Sequence, residues 1–420
     1  MAMKKWGALG IGLSLAEMDE AVAECIAPVL GTAKKVLLLP PDITRIHSRA
    51  GLLTQMLYKR FTDAGVECDL MPALGTHLPM TEEEIYTMFS FIPPEKFIVH
   101  DWRNDVVTLG EIPADFVREV SGGAVEYPIS VQVNKLLVSG EYDAIYVTGQ
   151  VVPHEVAGLS SFSKHIFVGC GGLDMINRTH FLGASVGAEN IMGRRDNAVR
   201  AVFDRAQKEF ADALPIEYFM TVVGPQAGPH QVNGLYFGRA EAFDEAAKMC
   251  TALNINRVEK PIQKCVVWLD PEEYRSTWLG NKSVYRTRMA LAKGAELLVL
   301  APGVRMFGED AENGRLIRKY GYKGREYVLD CVRDNADIGE NLSVAAHLIH
   351  GSSDEQFHIT YAVDPANMPF SEIEAVGYNA AAYNDAAAKY DPKALQPGFQ
   401  TVNGEEIFFI ANPGLGLWSV

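Results

Sequence analysis

The sequence predicts an α/β fold of two domains with mostly parallel sheets, and three observations predict it. Short apolar runs recur along the chain, each followed by a loop and a stretch of helical periodicity, the alternation of parallel strands with crossover helices. The chain has 420 residues, which at ~100–200 residues per domain suggests two to three domains. Hydrophobic residues make up 48% of it and charged residues 22%, so a sizeable core is available.

The first 31 residues carry Lys4, Lys5 and a short apolar run, but Glu17, Asp19 and Glu20 follow at once and no small-residue cleavage site is clear. They read as a strand or loop leading into a helix rather than as a signal peptide. KKVLLL at 34–39 is a buried strand stopped by Pro40-Pro41. Residues 48–64 have Leu52, Leu53, Met56, Leu57 and Phe61 on one helical face. Residues 68–74 form a second strand. Thr81 is a good N-cap with Glu84 at the third helical position, a capping-box spacing. Strands are expected at 96–100 and 142–147, a helix over 195–214, strands at 218–223 and 234–237, and a helix over 240–253. Residues 258–261 read as a linker, so a domain boundary is placed near 258–264. The second part repeats the alternation: strand 265–269, helix 285–295, strand 296–301, helices 315–320 and 341–348, and strand 357–363. A helix with a run of alanines over 371–389 and a last strand at 405–410 complete it.

Composition excludes several functions. The net charge of -15 and pI near 5.2 argue against nucleic-acid or anionic-membrane partners, which need a basic face. A small anionic substrate needs only local cations. No run approaches ~18 uninterrupted apolar residues, so no membrane span is expected. The six cysteines, Cys25, Cys68, Cys170, Cys250, Cys265 and Cys331, are scattered without a CxxC pair. A thiol-retaining cytoplasmic protein fits that pattern better than a disulfide scaffold.

In open α/β sheets, ligands bind outside the carboxyl ends of the strands. Asp42 and Arg45, His77 and His154 each follow such an end. Taken singly, each has a bland alternative. Asp42 and Arg45 could be a helix cap and a surface arginine, and His77 a loop histidine packed near a turn. The stretch from Gly149 to His180 holds His154, Lys164 and His180 among glycines and serines. Imidazole serves as a metal ligand or as an acid/base near neutral pH, and an accessible lysine can form a covalent adduct. The spacings of ten and sixteen residues match no common zinc motif. His47 and His165 are chemical alternatives nearby. Gly171 and Gly172 follow Cys170 in a turn that can present backbone N–H groups to a phosphate, without a Rossmann or P-loop signature; turn geometry alone also explains them. Cys170, beside an apolar run, reads as a buried structural thiol. In the second part, Tyr285 and Arg288 are three apart on an expected helix face, beside Lys282 and Arg286. His347 and His350 are likewise three apart and read as surface or packing residues.

These residues together resemble the lactate racemase family, the nickel-pincer-nucleotide 2-hydroxyacid racemases and epimerases. The matching segments are DITR at 42–45, GTH with PMTEEE at 75–84, PHEVAG at 153–158, Lys164 and His180. The resemblance runs over most of the first 260 residues and more loosely beyond. It implies a pyridinium-3-thioamide-5-thiocarboxylate mononucleotide carrying nickel, covalently attached to Lys164, with His180 completing the nickel coordination. It further implies His77 and His154 as alternating acid and base, Asp42, Thr44, Gly171 and Gly172 on the cofactor side, and Arg45, Tyr285 and Arg288 toward the substrate. One histidine would take the hydroxyl proton while hydride moves to the cofactor, giving a transient 2-keto acid; the other would act for the opposite stereoisomer. The cofactor-assembly proteins would be transient partners. The resemblance also implies domains at 1–260 and 261–394, an active site in the interdomain cleft, and a segment 395–420 that returns to the first domain.

The sequence departs from the family pattern at two places. A Gly-Gly-basic run usual before the tethering lysine reads Ser161-Phe162-Ser163 here, and a Gln and Lys three apart become Tyr285 and Arg288. The second departure, with LGNKSVYRTR and FGED, points to a polyhydroxy sugar acid (an aldonate of the mannonate/gluconate type) as preferred substrate over a lactate-like acid. The competing readings are a zinc-dependent hydrolase or lyase using His77, His154 and His180, and a non-catalytic sugar-acid binder.

Overall fold

The computed structural model describes residues 2–224 and 231–420. The chain divides into two compact units, Met1–Thr179 with Ile191–Asn254, and His180–Asn190 with Ile255–Val420.

The first unit is built on six strands: β1 (Lys4–Gly7), β2 (Lys35–Leu39), β3 (Glu67–Leu70), β4 (Ala144–Gln150), β5 (Ile216–Gly224) and β6 (Gln231–Phe237). Their order is β1-β6-β5-β4-β2-β3. The four strands from β5 to β3 are parallel, and β6 and β1 close that edge in antiparallel fashion. Every residue of β4 is buried, as expected of a parallel strand covered on both faces. Helix α1 (Leu15–Leu30) starts at Ser14, which shares a capping box with Glu17. Helix α2 (Ala50–Asp63) buries Leu53, Leu57 and Phe61. Helix α3 (Glu82–Phe89) has the reciprocal Thr81–Glu84 box its sequence predicts. The core joins Val36, Leu38, Phe61, Leu70, Tyr146 and Phe219. Helices α4 (Leu173–Val186), α5 (Ala198–Ala206) and α6 (Ala240–Asn254) follow.

The second unit repeats the design with β7 (Ile262–Trp268), β8 (Leu291–Ala301), β9 (Phe357–Val363), β10 (Asn379–Ala382), β11 (Gly398–Val402) and β12 (Glu405–Ile410). The order is β10-β9-β8-β7-β12-β11. All are parallel except β11, which forms an antiparallel pair with β12.

Several expectations need correction. The segment 395–420 does not return to the first unit. Its strand β12 pairs with β7, Cys265 opposite Phe408, because β7 has an open edge that buries Ile407 to Ile410. The last strand, Leu417–Ser419, pairs with Ile255–Arg257. The excursion between units is made by His180–Asn190 instead. Residues 285–295 are not one helix. A short helix ends at Tyr285, and β8 begins at Leu291, opposite Ile262. Residues 371–389 break into Phe370–Ala375, strand β10 and Tyr383–Lys389. The alanines of β10 pair with β9, so sheet-edge hydrogen bonding overrides alanine's helix preference. Residues 96–100 form only a bridge from Phe97 to Leu70. The helix expected over 195–214 is shorter: α5 passes into a π-turn at Gln207–Ala211.

Candidate active site

Strand β2 ends at Pro40-Pro41, and Asp42 caps the 3-10 turn Ile43–Ser48. Its Oδ1 accepts from the Thr44 N–H at 3.2 Å and from Thr44 Oγ1 at 2.5 Å. Pairing between β2 and β3 continues past their ends, where Met71 and Ala73 N–H groups donate to the Leu38 and Pro40 carbonyls. That extension brings the next loop to Asp42, and His77 Nδ1 lies 2.5 Å from Asp42 Oδ2. The Asp42 side chain is 6% exposed and the His77 ring 53%. Burial alone would raise the Asp42 carboxyl, but the His77 hydrogen bond and charge, Thr44 and Arg45 hold it below the ordinary carboxylate range. A charged Asp42 accepts a hydrogen bond from the His77 Nδ1–H, which favours the tautomer whose Nε2 keeps its lone pair.

The end of β4 delivers the second histidine. Pro153–His154 pairs with Gly158–Leu159 in a tight two-residue ladder, and His154 is buried. Its Nδ1 accepts from the Val156 N–H at 3.1 Å and the Ala157 N–H at 3.4 Å. An accepting Nδ1 puts the proton of the neutral ring on Nε2. The two histidines are therefore held in opposite tautomers.

Lys164 follows a strained turn. Ser161 and Phe162 have φ of 70° and 53°, the left-handed region that costs an L residue roughly 1–2 kcal/mol each. These are the positions where the resemblance leads one to expect glycine. Phe162 is fixed between Tyr218 and Phe243, at centroid distances of 4.8 and 5.3 Å. Directly after Lys164 comes a π-turn, His165–Gly169, a form that recurs at functional sites. The Gly75 N–H donates to the Gly169 carbonyl at 2.8 Å, which ties the His77 loop to this turn. His165 bonds in turn to the backbone of Pro40 and Leu39. Three strand-end loops thus meet around Lys164.

The electrostatics agree with that convergence. Burial pushes the half-buried Lys164 amine down to about 8, helped by the Arg45 and Arg200 charges and opposed by Glu155 and Asp42. Burial, with Lys164 beside it, pushes His165 down to about 4, so its ring is neutral at pH 7. Gln150 Oε1, Ser161 Oγ and His165 Nε2 are buried without a hydrogen-bond partner. Buried polar atoms are normally satisfied, so three orphans in residues flanking Lys164 suit a polar group held there.

The remaining predicted residues divide. A Cβ on Gly171 would meet the Phe167 carbonyl oxygen at 1.9 Å, and one on Gly172 the Gln132 side chain at 2.4 Å. Close packing therefore already requires both glycines. Cys170 is buried and burial raises its thiol far above the ordinary range, so it is a structural thiol. His180 lies on α4, in the portion that belongs to the second unit. Tyr285 ends the helix Lys282–Tyr285, and Arg288 lies in the following turn, where its N–H donates to the Val284 carbonyl at 3.2 Å. Arg288 Nη2 is 3.1 Å from Asp354 Oδ2. His347 and His350 are buried on the helix Leu342–Gly351. His347 Nε2 meets Tyr322 Oη at 2.9 Å and its ring stacks on Trp278; burial lowers it to about 3. It packs as a neutral ring. Among the described residues, no group of three or more His, Cys, Asp or Glu side chains is placed to hold a metal ion directly. Sequence reasoning missed Arg200, which is fully buried on α5. The available signal was an arginine on the apolar face of Val199, Val202 and Phe203.

Fold and site together define an α/β protein that carries two oppositely held histidines and a low-pKa lysine on loops after parallel strands. Residues 18–192 match the lactate racemase N-terminal domain. The lactate racemase of Thermoanaerobacterium thermosaccharolyticum is 30% identical over 154 residues, 35% of this chain and 32% of that protein. The match thus spans about a third of that relative's length. Two solved structures share the fold. A Thermotoga maritima protein superposes with a TM-score of 0.79 at 24% identity, covering 97% of this chain and 98% of that one. The lactate racemase apoprotein from T. thermosaccharolyticum superposes with a TM-score of 0.73 at 16% identity, covering 98% and 95%.

Proposed function

We propose that this protein is an isomerase that inverts C2 of a 2-hydroxyacid, using a nickel-pincer nucleotide attached at Lys164, with polyhydroxy sugar acids as the preferred substrates. The observation that carries the reading is the pair His77 and His154, held in opposite tautomers on loops after parallel strands of the sheet that also presents Lys164.

The residues fit the group. Lys164 has an amine neutral enough near pH 8 to form an amide-type bond, and the orphaned polar atoms around it suit a polar ligand. His180 would ligate the nickel, and Asp42, Thr44, Gly171 and Gly172 would border the nucleotide. When bound, the cofactor supplies an electrophilic carbon that accepts hydride from C2.

The protein's own groups do the proton work. His77, with Nδ1 bonded to Asp42, takes the hydroxyl proton of one stereoisomer at Nε2. On the other side, His154 would hydrogen-bond the same oxygen through Nε2–H; it would deliver a proton there only as the imidazolium, which returns to the neutral ring when that proton leaves. Each positioned acid or base contributes about 10²–10⁴-fold. Arg45 would fork onto the substrate carboxylate. Tyr285 and Arg288 supply the argument for a longer, hydroxylated acid; a short lactate-like acid is the second substrate reading. The zinc hydrolase or lyase reading finds less support, because no direct metal cluster gathers among the described residues. A non-catalytic binder would not need opposed tautomers. The proposed setting is cytoplasmic, with cofactor-assembly proteins as transient partners; the six cysteines are free and buried, and no described helix is long and apolar enough to cross a membrane.

The test is expression with cofactor-assembly proteins, followed by metal analysis and peptide mass spectrometry. A mass increment on the Lys164 peptide with one nickel and two extra sulfurs per chain is expected. Zinc with an unmodified Lys164 would favour the hydrolase reading.

A further inference from the structure

We propose that Arg200 is a positioning residue for Lys164: its guanidinium holds residues 159–163 in the left-handed turn from which the lysine side chain departs. The inference rests on the reading of Lys164 as the cofactor tether.

Arg200 is 0% exposed. Its Nη1 donates to Ser163 Oγ at 3.1 Å, and its Nη2 donates to the Ser161 carbonyl at 3.1 Å and to the Leu159 carbonyl. All three acceptors lie in the five residues before Lys164. The guanidinium also lies 4.4 Å from the centroid of Phe243, the ring on which Phe162 stacks. One layer therefore grips both the carbonyls and the aromatic side chain of the strained turn.

A buried cation with this placement is not explained by space filling. Asp204, whose charge Arg200 feels, is hydrogen-bonded to Arg195 instead, and Arg200 Nε has no partner. An apolar side chain of similar volume would fill the site without that desolvation cost. A planar fork of donors is what two carbonyls and a hydroxyl of one turn require, and only arginine supplies it. Ser161 and Phe162 are both at positive φ, so without the clamp the turn would relax toward ordinary backbone and carry Lys164 with it. The charged and titratable groups around Lys164 are Arg45 and Asp42 from the turn after β2, Glu155 after β4, Arg200 from α5, and the adjacent His165.

The experiment is competitive acetylation of the full-length, cofactor-free protein with acetic anhydride between about pH 6 and 11. Lys164 is read by peptide mass spectrometry against the exposed Lys59. In the unsubstituted protein the Lys164 midpoint is expected near 8. Arg200→Met should raise it by about one unit or more, which is about a tenfold loss of Lys164 labelling relative to Lys59 at pH 7. Loss of the positive charge alone would also raise the midpoint, so the deciding variant is Arg200→Met with Ser161→Gly. Glycine adopts the left-handed turn without help, and the midpoint should return toward that of the unsubstituted protein. An unchanged midpoint in Arg200→Met, or no recovery in the double variant, overturns the proposal. Should Arg200→Met fail to fold, Arg200→Lys keeps the cation without the fork: a raised midpoint supports the proposal and an unchanged one overturns it. Labelling reads the free amine, so it stands apart from the tether. A loaded protein whose Lys164 peptide shows no mass increment would remove the tether reading while leaving the labelling result intact.

Discussion

The Asp42 carboxylate and the His77 imidazole meet at 2.5 Å, Oδ2 to Nδ1, across two loops that leave neighbouring parallel strands. Asp42→Asn keeps the shape but offers no second carboxylate oxygen to fix the ring. Turnover is expected to fall roughly 10²-fold or more, within the range of one positioned acid–base group, with a smaller change in KM. Steady-state kinetics on both stereoisomers checks this; a kcat within twofold of the parent would contradict it.

The same pair has a defined pH signature. Asp42 has a lowered folded-state pKa, so its contribution to stability is full above the unfolded carboxyl value, about 3.9. It is lost as pH falls through the still lower folded value. Urea unfolding of the parent and of Asp42→Asn should therefore differ at pH 6 and converge in strong acid. A difference that grows on acidification would have the wrong sign.

His77 and His154 should give different nitrogen NMR signatures. His77 is expected protonated at Nδ1, bonded to Asp42, and neutral His154 at Nε2, because its Nδ1 accepts from Val156 and Ala157. Long-range proton–nitrogen correlation spectra of the labelled protein near pH 8 distinguish the tautomers. Finding both rings in the same tautomer would remove the argument that they are poised for opposite proton transfers.

Lys164 carries a stability cost. Its folded pKa, about 8, lies below the unfolded value near 10.4. The unfolded chain binds the extra proton between these values, so stability rises with pH across that window, and the cost is full below pH 8. Lys164→Met should stabilise the cofactor-free protein at pH 7 by on the order of 2–3 kcal/mol, an advantage that vanishes near pH 11. Attachment of the cofactor, which makes the nitrogen neutral, should raise the melting temperature in the same direction. Equal stability of the parent and Lys164→Met at pH 7 would contradict the burial argument.

Ser161 and Phe162 separate backbone strain from packing. Ser161→Gly relieves about 1–2 kcal/mol of left-handed strain against an entropic cost of about 0.5–1, so its stability should be unchanged or slightly higher. Phe162→Gly relieves the same strain but removes a buried ring worth about 3–5 kcal/mol, and should destabilise clearly. Denaturant unfolding of both variants checks the contrast.

The elements that positioned the site were legible because their signals were local. Apolar runs ending in Pro40-Pro41 and in the Gly75 turn marked strand ends, and the Thr81–Glu84 box marked a helix start. The alanines of β10 and residues 285–295 were misread because pairing with a neighbouring strand, invisible in the sequence, outweighed local preference. The destination of residues 395–420 failed for the same reason, since nothing local reveals which sheet has an open edge. At the candidate site, position and residue type singled out His77, His154 and Lys164 as candidates, and their loops meet in the structure. Arg200 was not singled out, because its partners are backbone carbonyls, which leave no trace in side-chain pattern. The serines and phenylalanine before Lys164, a departure from the expected glycines, keep the positive φ that glycine adopts freely.

The central claim is inversion at C2 without exchange of the C2 hydrogen with solvent. The direct measurement is incubation of the cofactor-loaded protein with a panel of 2-hydroxyacids, aldonates and lactate included, in deuterated water, followed by mass and NMR analysis of the products. Inverted product carrying no solvent deuterium at C2 is the predicted result, with aldonates turned over fastest. Deuterium at C2 of the inverted product would contradict the claim.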